Sequence, residues 1–546
     1  MIRWGFISVF LLFAFALPSY SQDIIIETEI MPLDARLKCA ETFVTHTLDH
    51  TTTSPRGDIV QQFEANGSGV AINDLDNDGD LDIVLANHAD MNTILWNEGN
   101  LNFRTERLTH GDSRAVVIID VDGDGWNDLF FTRTASAPSY WHNLGDGQFE
   151  HEFLPNIAEP LYSVAWGDLD ADGDLDFVGG TYDAALLDAF GQEFLLNSGA
   201  GIYYYQNVDG VFQPRRIAYK AQTLALILVD INHDGRLDIV VGNDFAVPDY
   251  VWVRTDDDWE ISNLFTTYSH STMSYDFADL NNDGNSEIFS TDMKPYDDNP
   301  ATIDAWRPVL GSLYSEHTNP NNPQIMENVL LKQSPDNTYN NDADNIGIDA
   351  SGWSWSGKFG DLDQDGFIDL YIVNGFIEFT IFSHLDNHEL VEENLAFRNM
   401  DGMSFEPMPE WGLYSTSSGR GMSMADLDMD GDLDIVVNNL RAPAQLFENQ
   451  LCSGRSLQVD LEWDAIHNYH QIGAELLLHT SAGTFYRYVK SASGYLSGDT
   501  TRIHFGFPSN ADIQSLEIRW TDGQHSIIEI PTQTQYLIVH RKDDMK

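Results

Sequence analysis

The sequence predicts an all-β fold: a closed ring of seven antiparallel blades, then a small C-terminal β-sandwich-like domain. Three observations carry this expectation. One acidic nine-residue loop recurs seven times. Each copy leads into a short β-rich run, and an Asn-Gly hairpin follows several of them. The last ninety or so residues alternate apolar and polar positions over five short segments. Repeated four-stranded sheets closed into a ring make a seven-bladed β-propeller, a fold that absorbs more chain than one ordinary domain. A length of 546 residues suits it.

The loop follows the pattern D-x-[DN]-x-D-G-x-x-[DE]. Its copies read DLDNDGDLD, DVDGDGWND, DLDADGDLD, DINHDGRLD, DLNNDGNSE, DLDQDGFID and DLDMDGDLD. Calcium takes six to eight hard oxygens at ~2.3–2.6 Å. Side chains at positions 1, 3 and 5 of a tight loop can converge on one ion. Glycine at position 6 allows the sharp turn, position 7 offers its carbonyl, and the acid at position 9 closes the cage. The first loop therefore supplies Asp74, Asp76, Asp78, the carbonyl of Asp80, and Asp82. The second supplies Asp120, Asp122, Asp124, the carbonyl of Trp126, and Asp128; the third Asp168, Asp170, Asp172, the carbonyl of Asp174, and Asp176. The fourth supplies Asp230, Asn232, Asp234, the carbonyl of Arg236, and Asp238; the fifth Asp279, Asn281, Asp283, the carbonyl of Asn285, and Glu287. The sixth supplies Asp361, Asp363, Asp365, the carbonyl of Phe367, and Asp369; the seventh Asp426, Asp428, Asp430, the carbonyl of Asp432, and Asp434. Up to seven calcium ions are expected. The loops at Asp230 and Asp279 should bind weakest, because they carry Asn in place of Asp or a longer acid.

Magnesium prefers a smaller octahedral shell that keeps its waters, and zinc wants His or Cys. An EF-hand needs a glutamate at position 12 between helices. Position 12 here is Leu85, Phe131, Gly179, Val241, Ser290, Ile372 and Val437. The competing reading is a set of acidic β-turns that bind nothing.

The second recurring element is an apolar strand, an Asn, a Gly turn and a Phe, as in LWNEGNLNF (95–103) and WHNLGDGQF (141–149). Strand, loop, strand, strand, hairpin and outer strand make one four-stranded blade. The last repeat lacks its outer strand, while an orphan, Phe43-Val44-Thr45-His46-Thr47-Leu48, precedes the first repeat. It is expected to complete the seventh blade and close the ring. Cys39 and Cys452, the two cysteines, flank that junction. They form either a clasping disulfide or two buried thiols.

With 86 acidic side chains against 28 Lys+Arg, the formal net charge is −58. That excludes nucleic acid and anionic membranes as natural partners. The acids suit divalent cations, or else a surface adapted to salt. Arg3, the apolar run Trp4–Leu17 and the small residues at Ser19 and Ser21 read as a signal peptide over 1–21. The alternative is one membrane anchor, for which the run is short. The mature chain is then expected to be exported, without an integral membrane segment, and monomeric: extracellular, cell-surface or periplasmic.

The loops with their flanks resemble FG-GAP/VCBS repeats, as in integrin α-subunit propellers. Residues 22–452 are the expected propeller. Residues 453–546 resemble an ASPIC/UnbV domain through Ile472-Gly473-Ala474, Ser493-Gly494-Tyr495, His504-Phe505-Gly506 and Arg519-Trp520-Thr521-Asp522-Gly523. Where that family often has Asn-Arg ahead of the Ile-Gly-Ala, this chain has Asn468-Tyr469-His470-Gln471. The pairing of propeller and tail is similar to that of the cartilage acidic protein family. The resemblance implies calcium binding and no catalytic activity.

The expected function is a non-catalytic binding or adhesion module for an extracellular glycan or protein. The alternatives are a calcium-dependent polysaccharide lyase or hydrolase on a propeller scaffold and a structural surface-layer component. No G-x-S-x-G elbow and no Cys/His metal spacing occurs. Insertions at 183–202, 293–325 and 376–394 are candidate binding loops. Tyr203-Tyr204-Tyr205 is either a sugar-stacking run or strand packing. Arg56-Gly57-Asp58 is a chance adhesion tripeptide.

Overall fold

The computed structural model describes residues 24–33, 39–145, 147–192, 199–245, 247–256, 258–316 and 323–542. The expected signal peptide at 1–21 lies outside them. Seven sheets each contain four antiparallel strands in sequence order, the seventh with its outer strand drawn from the N-terminus. The innermost strands are Val70–Asn73, Ser113–Ile119, Ser163–Gly167, Thr223–Val229, Ser274–Ala278, Gly352–Gly360 and Gly419–Ala425. Each touches the next, and the last touches the first, so the sheets close into a propeller. These strands are buried along almost their whole length; Val70–Asn73, Ser113–Ile119, Ser163–Gly167 and Thr223–Val229 are mostly apolar, while the other three bury polar residues such as Asp276, Lys358 and Arg420.

Closure uses the two ends of the ring. Phe43–Thr51 pairs antiparallel with Pro443–Asn449, and Cys39 is disulfide-bonded to Cys452 with 5.6 Å between the Cα atoms.

The C-terminal region is a two-sheet sandwich. One sheet holds Arg455–Trp463, Ile503–Phe507 and Tyr536–Lys542; the other holds Glu475–Thr480, Thr484–Tyr488, Ile513–Arg519 and His525–Ile528. Leu457, Val459 and Leu461 of the first share one apolar core with Leu476, Leu478, Leu516 and Ile518 of the second. The first sheet gains an edge strand from the far end of the chain. Ile25–Met31 pairs antiparallel with Tyr536–Lys542. The expected propeller range of 22–452 thus includes a strand that the fold gives to the C-terminal sheet.

In an antiparallel blade successive connections alternate between the two faces of the ring. The acidic loops join first and second strands and share one face. The insertions 183–202, 293–325 and 376–394 all lie between second and third strands, so their described residues, 183–192, 199–202, 293–316, 323–325 and 376–394, share the opposite face. Helices Asp183–Phe190 and Pro300–Glu316 sit there. The C-terminal domain packs on the acidic-loop face and does more than cap it. Its hairpin Ser491–Gly498 enters the central channel. Ser491 Oγ accepts from Trp166 N at 2.8 Å, Gly494 N donates to Tyr275 O at 2.7 Å, and Tyr495 N donates to Ser356 Oγ at 3.1 Å. Leu496 O accepts from Val116 N at 3.3 Å, and Ser497 Oγ accepts from Val70 N and Met422 N at 3.3 and 3.1 Å. Six of the seven inner strands are thereby bonded to one hairpin. An inner strand presents an unpaired edge to the channel, and an unpaired buried amide is costly. The hairpin satisfies those edges. At its tip Tyr495 is fully buried, its hydroxyl donating to Asn66 O at 3.0 Å.

Candidate metal centres

All seven acidic loops share one backbone. Position 4 has positive φ in every copy: Asn77, Gly123, Ala171, His233, Asn282, Gln364 and Met429 lie between 55° and 74°. Position 6 is glycine with φ from 82° to 101°. Six of the seven position-4 residues are not glycine, and each pays a left-handed penalty of roughly 1–2 kcal/mol. Strain repeated at one place marks a conformation imposed by the loop's own hydrogen bonds. The position-1 carboxylate accepts from the position-6 amide in every loop, at 2.9 Å for Asp74, 2.7 Å for Asp230 and 2.8 Å for Asp426. The position-9 acid accepts from the position-2 amide in every loop, at 2.9–3.2 Å. These bonds aim the acids inward.

One oxygen from each of Asp74, Asp76 and Asp78 lies within 4.8 Å of the others. The same holds for Asp120, Asp122 and Asp128, for Asp168, Asp170 and Asp176, and for Asp361, Asp363 and Asp365. His142, from the third strand of the second blade, joins Asp122 and Asp124 in a further group, a neighbour the sequence pattern does not announce. At position 7 of the fourth loop Arg236 turns back on its own loop, its Nη2 2.9 Å from Asp234 Oδ2.

Several buried oxygens in these loops have no hydrogen-bond partner: Asp74 Oδ1, Asp76 Oδ1, Asp170 Oδ1, Asp174 Oδ1 and Asp363 Oδ1. Crowded carboxylates with orphan oxygens fit a hard cation. Burial, with neighbouring carboxylates adding to it, pushes the ion-free carboxyls up: Asp82 and Asp176 to about 8, Asp168 to about 7. Asp361, Asp369, Asp426 and Asp434 are raised by burial too. Asp234 goes the other way. Burial raises it, but hydrogen bonds from Arg236 and Asn232 outweigh that and hold it below the usual range.

The recurring Asn is a staple between blades. Asn97 Nδ2 donates to Leu81 O at 3.2 Å and to Leu427 O of the seventh blade at 2.7 Å. Asn143 reaches Leu75 O at 2.8 Å, Asn399 reaches Leu280 O at 2.8 Å, and Asn449 reaches Leu362 O at 2.9 Å. Each ties its strand to position 2 of the preceding loop. The motif was legible in the sequence as a hairpin signal; its cross-blade role was not. In the fourth blade Arg254 stands at this place, donating its backbone amide to Asp238.

Other candidates resolve differently. Tyr203, Tyr204 and Tyr205 are buried, with Tyr205 stacked on Phe177 and Tyr204 donating to Asp176 Oδ2 at 2.9 Å, so the run is strand packing. In the tripeptide 56–58, Arg56 pairs with Glu64 at 3.2 Å. The central channel is filled by the hairpin. Charged groups beside it pair across the junction, with Lys490 Nζ 2.6 Å from Asp276 Oδ1 and Lys358 on Asp499. A cleft of about 660 Å³ remains between the third and fourth loops and the C-terminal domain.

Comparison with known families matches this geometry. A model described as FG-GAP-like repeat matches residues 74–131, 120–179 and 230–290, and one described as ASPIC and UnbV matches residues 465–545. The chain carries FG-GAP-like repeats and an ASPIC and UnbV domain. It is similar to Cartilage acidic protein 1 of Xenopus tropicalis, 22% identical over 85% of this chain and 72% of that protein. Among solved structures it resembles BBS1N in complex with ARL6DN, at 9% identity over 76% of this chain and 97% of that one, TM-score 0.41. It also resembles YCF48 bound to D1 peptide, at 8% identity over 77% and 98%, TM-score 0.39. Among the described residues no helix is long and apolar enough to cross a membrane.

Proposed function

We propose that this protein is an exported, calcium-binding propeller that works as a non-catalytic binding module for an extracellular glycan or protein. The observation that carries the reading is the sevenfold repetition of one strained loop with inward carboxylates, three of the copies with orphan buried carboxylate oxygens. The acids at positions 1, 3, 5 and 9 and the carbonyl at position 7 would hold each ion. A bound ion supplies the positive charge these oxygens lack. Seven ions would bring the formal charge from −58 to about −44. The chain's own residues do the rest. Position 9 links the loop to the third strand, since Asp82 Oδ1 accepts from Asn97 N at 2.8 Å and Asp434 Oδ1 from Asn449 N at 2.8 Å. Fixing the acid therefore fixes the blade.

The C-terminal domain covers the loop face, which leaves the insertion face for a partner. Large apolar side chains are exposed on all three insertions there: Leu187 and Phe190, Tyr296, and Phe379, Ile381 and Val391. Such exposure supports an interaction surface. Two measurements test the reading. Metal analysis of purified protein at millimolar calcium should find several bound ions. A glycan and protein-ligand array followed by product analysis should then find calcium-dependent binding with the ligand left intact. Cleaved product would favour the lyase or hydrolase alternative.

A further inference from the structure

Granting calcium in the acidic loops, as proposed above, we infer that the C-terminal domain locks the ions of the sixth and seventh loops. These ions exchange with solvent only when that domain lifts from the ring, whereas ions in the open loops exchange without it.

The seventh loop is largely cut off from water. Asp426, Asp430, Asp432 and Asp434 are all less than a tenth exposed, and Asp428 is half-buried. The cover is the C-terminal sheet. Gln458 donates its amide to Asp426, and His504 Nε2 lies 3.1 Å from Gly431 O. A Cβ placed on Gly431 would sit 2.7 Å from Ser456 Oγ, so the two surfaces meet without a solvent layer.

The sixth loop is covered by the same domain, with Asp365 and Phe367 left partly exposed. Ser453 Oγ donates to Asp363 O at 2.5 Å, and a Cβ on Gly366 would fall 2.5 Å from the Phe485 ring. Asp363 is 8% exposed, yet its Oδ1 has no hydrogen-bond partner. That oxygen is a second, independent sign of a cation under the domain. Arg398 neutralises part of this loop, at 2.7 Å from Asp363 and 2.8 Å from Asp365. The seventh loop, acidic at all five ligand positions, therefore carries the stronger coupling.

A departing calcium must recover its water shell, and here it can do so only if the cover moves. The cover cannot tilt alone, because hairpin Ser491–Gly498 is threaded into the channel and bonded to six inner strands. Ion release and hairpin withdrawal are then one event. Coupling is reciprocal: ion loss removes the counter-charge from the crowded acids of the seventh loop and loosens the sheet above them, whereas at the sixth loop Arg487 of the same domain stands 3.9 Å from Asp361 and keeps part of the contact.

The test uses the full chain loaded with radiolabelled calcium and challenged with excess EGTA, alongside hydrogen exchange of the amides at 491–498. Two ions are expected to leave at least about 100-fold more slowly than the rest, at the opening rate of the hairpin amides. Gln458→Ala and Tyr495→Ala should each speed the slow phase while leaving the fast phase unchanged. Gln458→Ala keeps the test intact if Tyr495→Ala does not fold. A single fast phase for all ions would overturn the locking. So would a slow phase that persists in a variant whose hairpin exchanges freely. Protein that binds no calcium would instead overturn the underlying reading of the loops.

Discussion

The seventh and fourth acidic loops share a backbone and a pattern, and they differ in almost everything around it. The seventh has aspartate at all five ligand positions and lies buried beneath the C-terminal sheet. The fourth has Asn232 at position 3, leaves Asn232, His233 and Asp234 exposed, and carries its own cation in Arg236. The difference teaches that the local loop sets where oxygens converge, while the surroundings set how much an ion is needed there. Buried carboxylates without a counter-charge are expensive. Exposed ones are solvated and partly neutralised.

The largest expected effect is ion removal. Chelation should lower the melting temperature by roughly 10–20 °C, since each tightly held ion adds up to about 4 kcal/mol by mass action. Equal melting curves in calcium and EDTA would break the comparison at its root. Next is the pair Asp426→Asn and Asp230→Asn. In calcium the first should cost about 3–5 kcal/mol and the second about 1 kcal/mol, read by denaturant unfolding. In EDTA the sign for Asp426→Asn should reverse, because the variant then relieves a buried carboxyl crowded by Asp428 and Asp430.

Acidity should act in the same sense on the ion-free protein. The folded-state carboxyls of Asp82, Asp120 and Asp176 stand at about 8 and that of Asp238 at about 7, well above the unfolded value. The folded state therefore holds extra protons between about pH 4 and pH 8. Ion-free stability should be highest below that window and fall as pH rises through it. With calcium saturating, the slope should shrink and calcium affinity should weaken toward acid pH. Thermal melts at stepped pH, with and without EDTA, read both.

Asn449→Ala should cost about 1–3 kcal/mol by orphaning Leu362 O and the loop contact it spans. Arg254→Ala, at the place in the fourth blade that lacks the staple, should cost less. The smallest effect is expected for Arg236→Gln. Freeing Asp234 should tighten calcium at the fourth loop by roughly threefold, seen by titration calorimetry and weakened by salt.

Much of this was legible in the chain. The loop pattern gave the acids, the glycine turn and the strand that follows, because all of these depend on neighbours within nine residues. The orphan Phe43–Leu48 strand and the incomplete last repeat pointed at each other because the repeat shows which strand is missing at one end and spare at the other. Position 4 was not legible: Asn, Ala, His, Gln and Met share no property that signals a left-handed residue, and the hydrogen bonds of the closed loop impose it. Nor was Ile25–Met31, which reads as an unremarkable strand until Tyr536–Lys542 supplies its partner. Ser493-Gly494-Tyr495 could be seen as a motif, yet nothing in it says that it fills a channel.

The sequence by itself determined the repeated unit: which residues offer oxygen to an ion, which turn, and which strands surround them. These follow from short-range sterics and charge. Only the tertiary structure decided which loops are covered, what plugs the ring and where each Asn reaches. Those outcomes depend on groups brought together from distant parts of the chain, as Val70 and Ser497 are across 427 positions, and contacts of that kind leave no mark on the residues beside them in sequence.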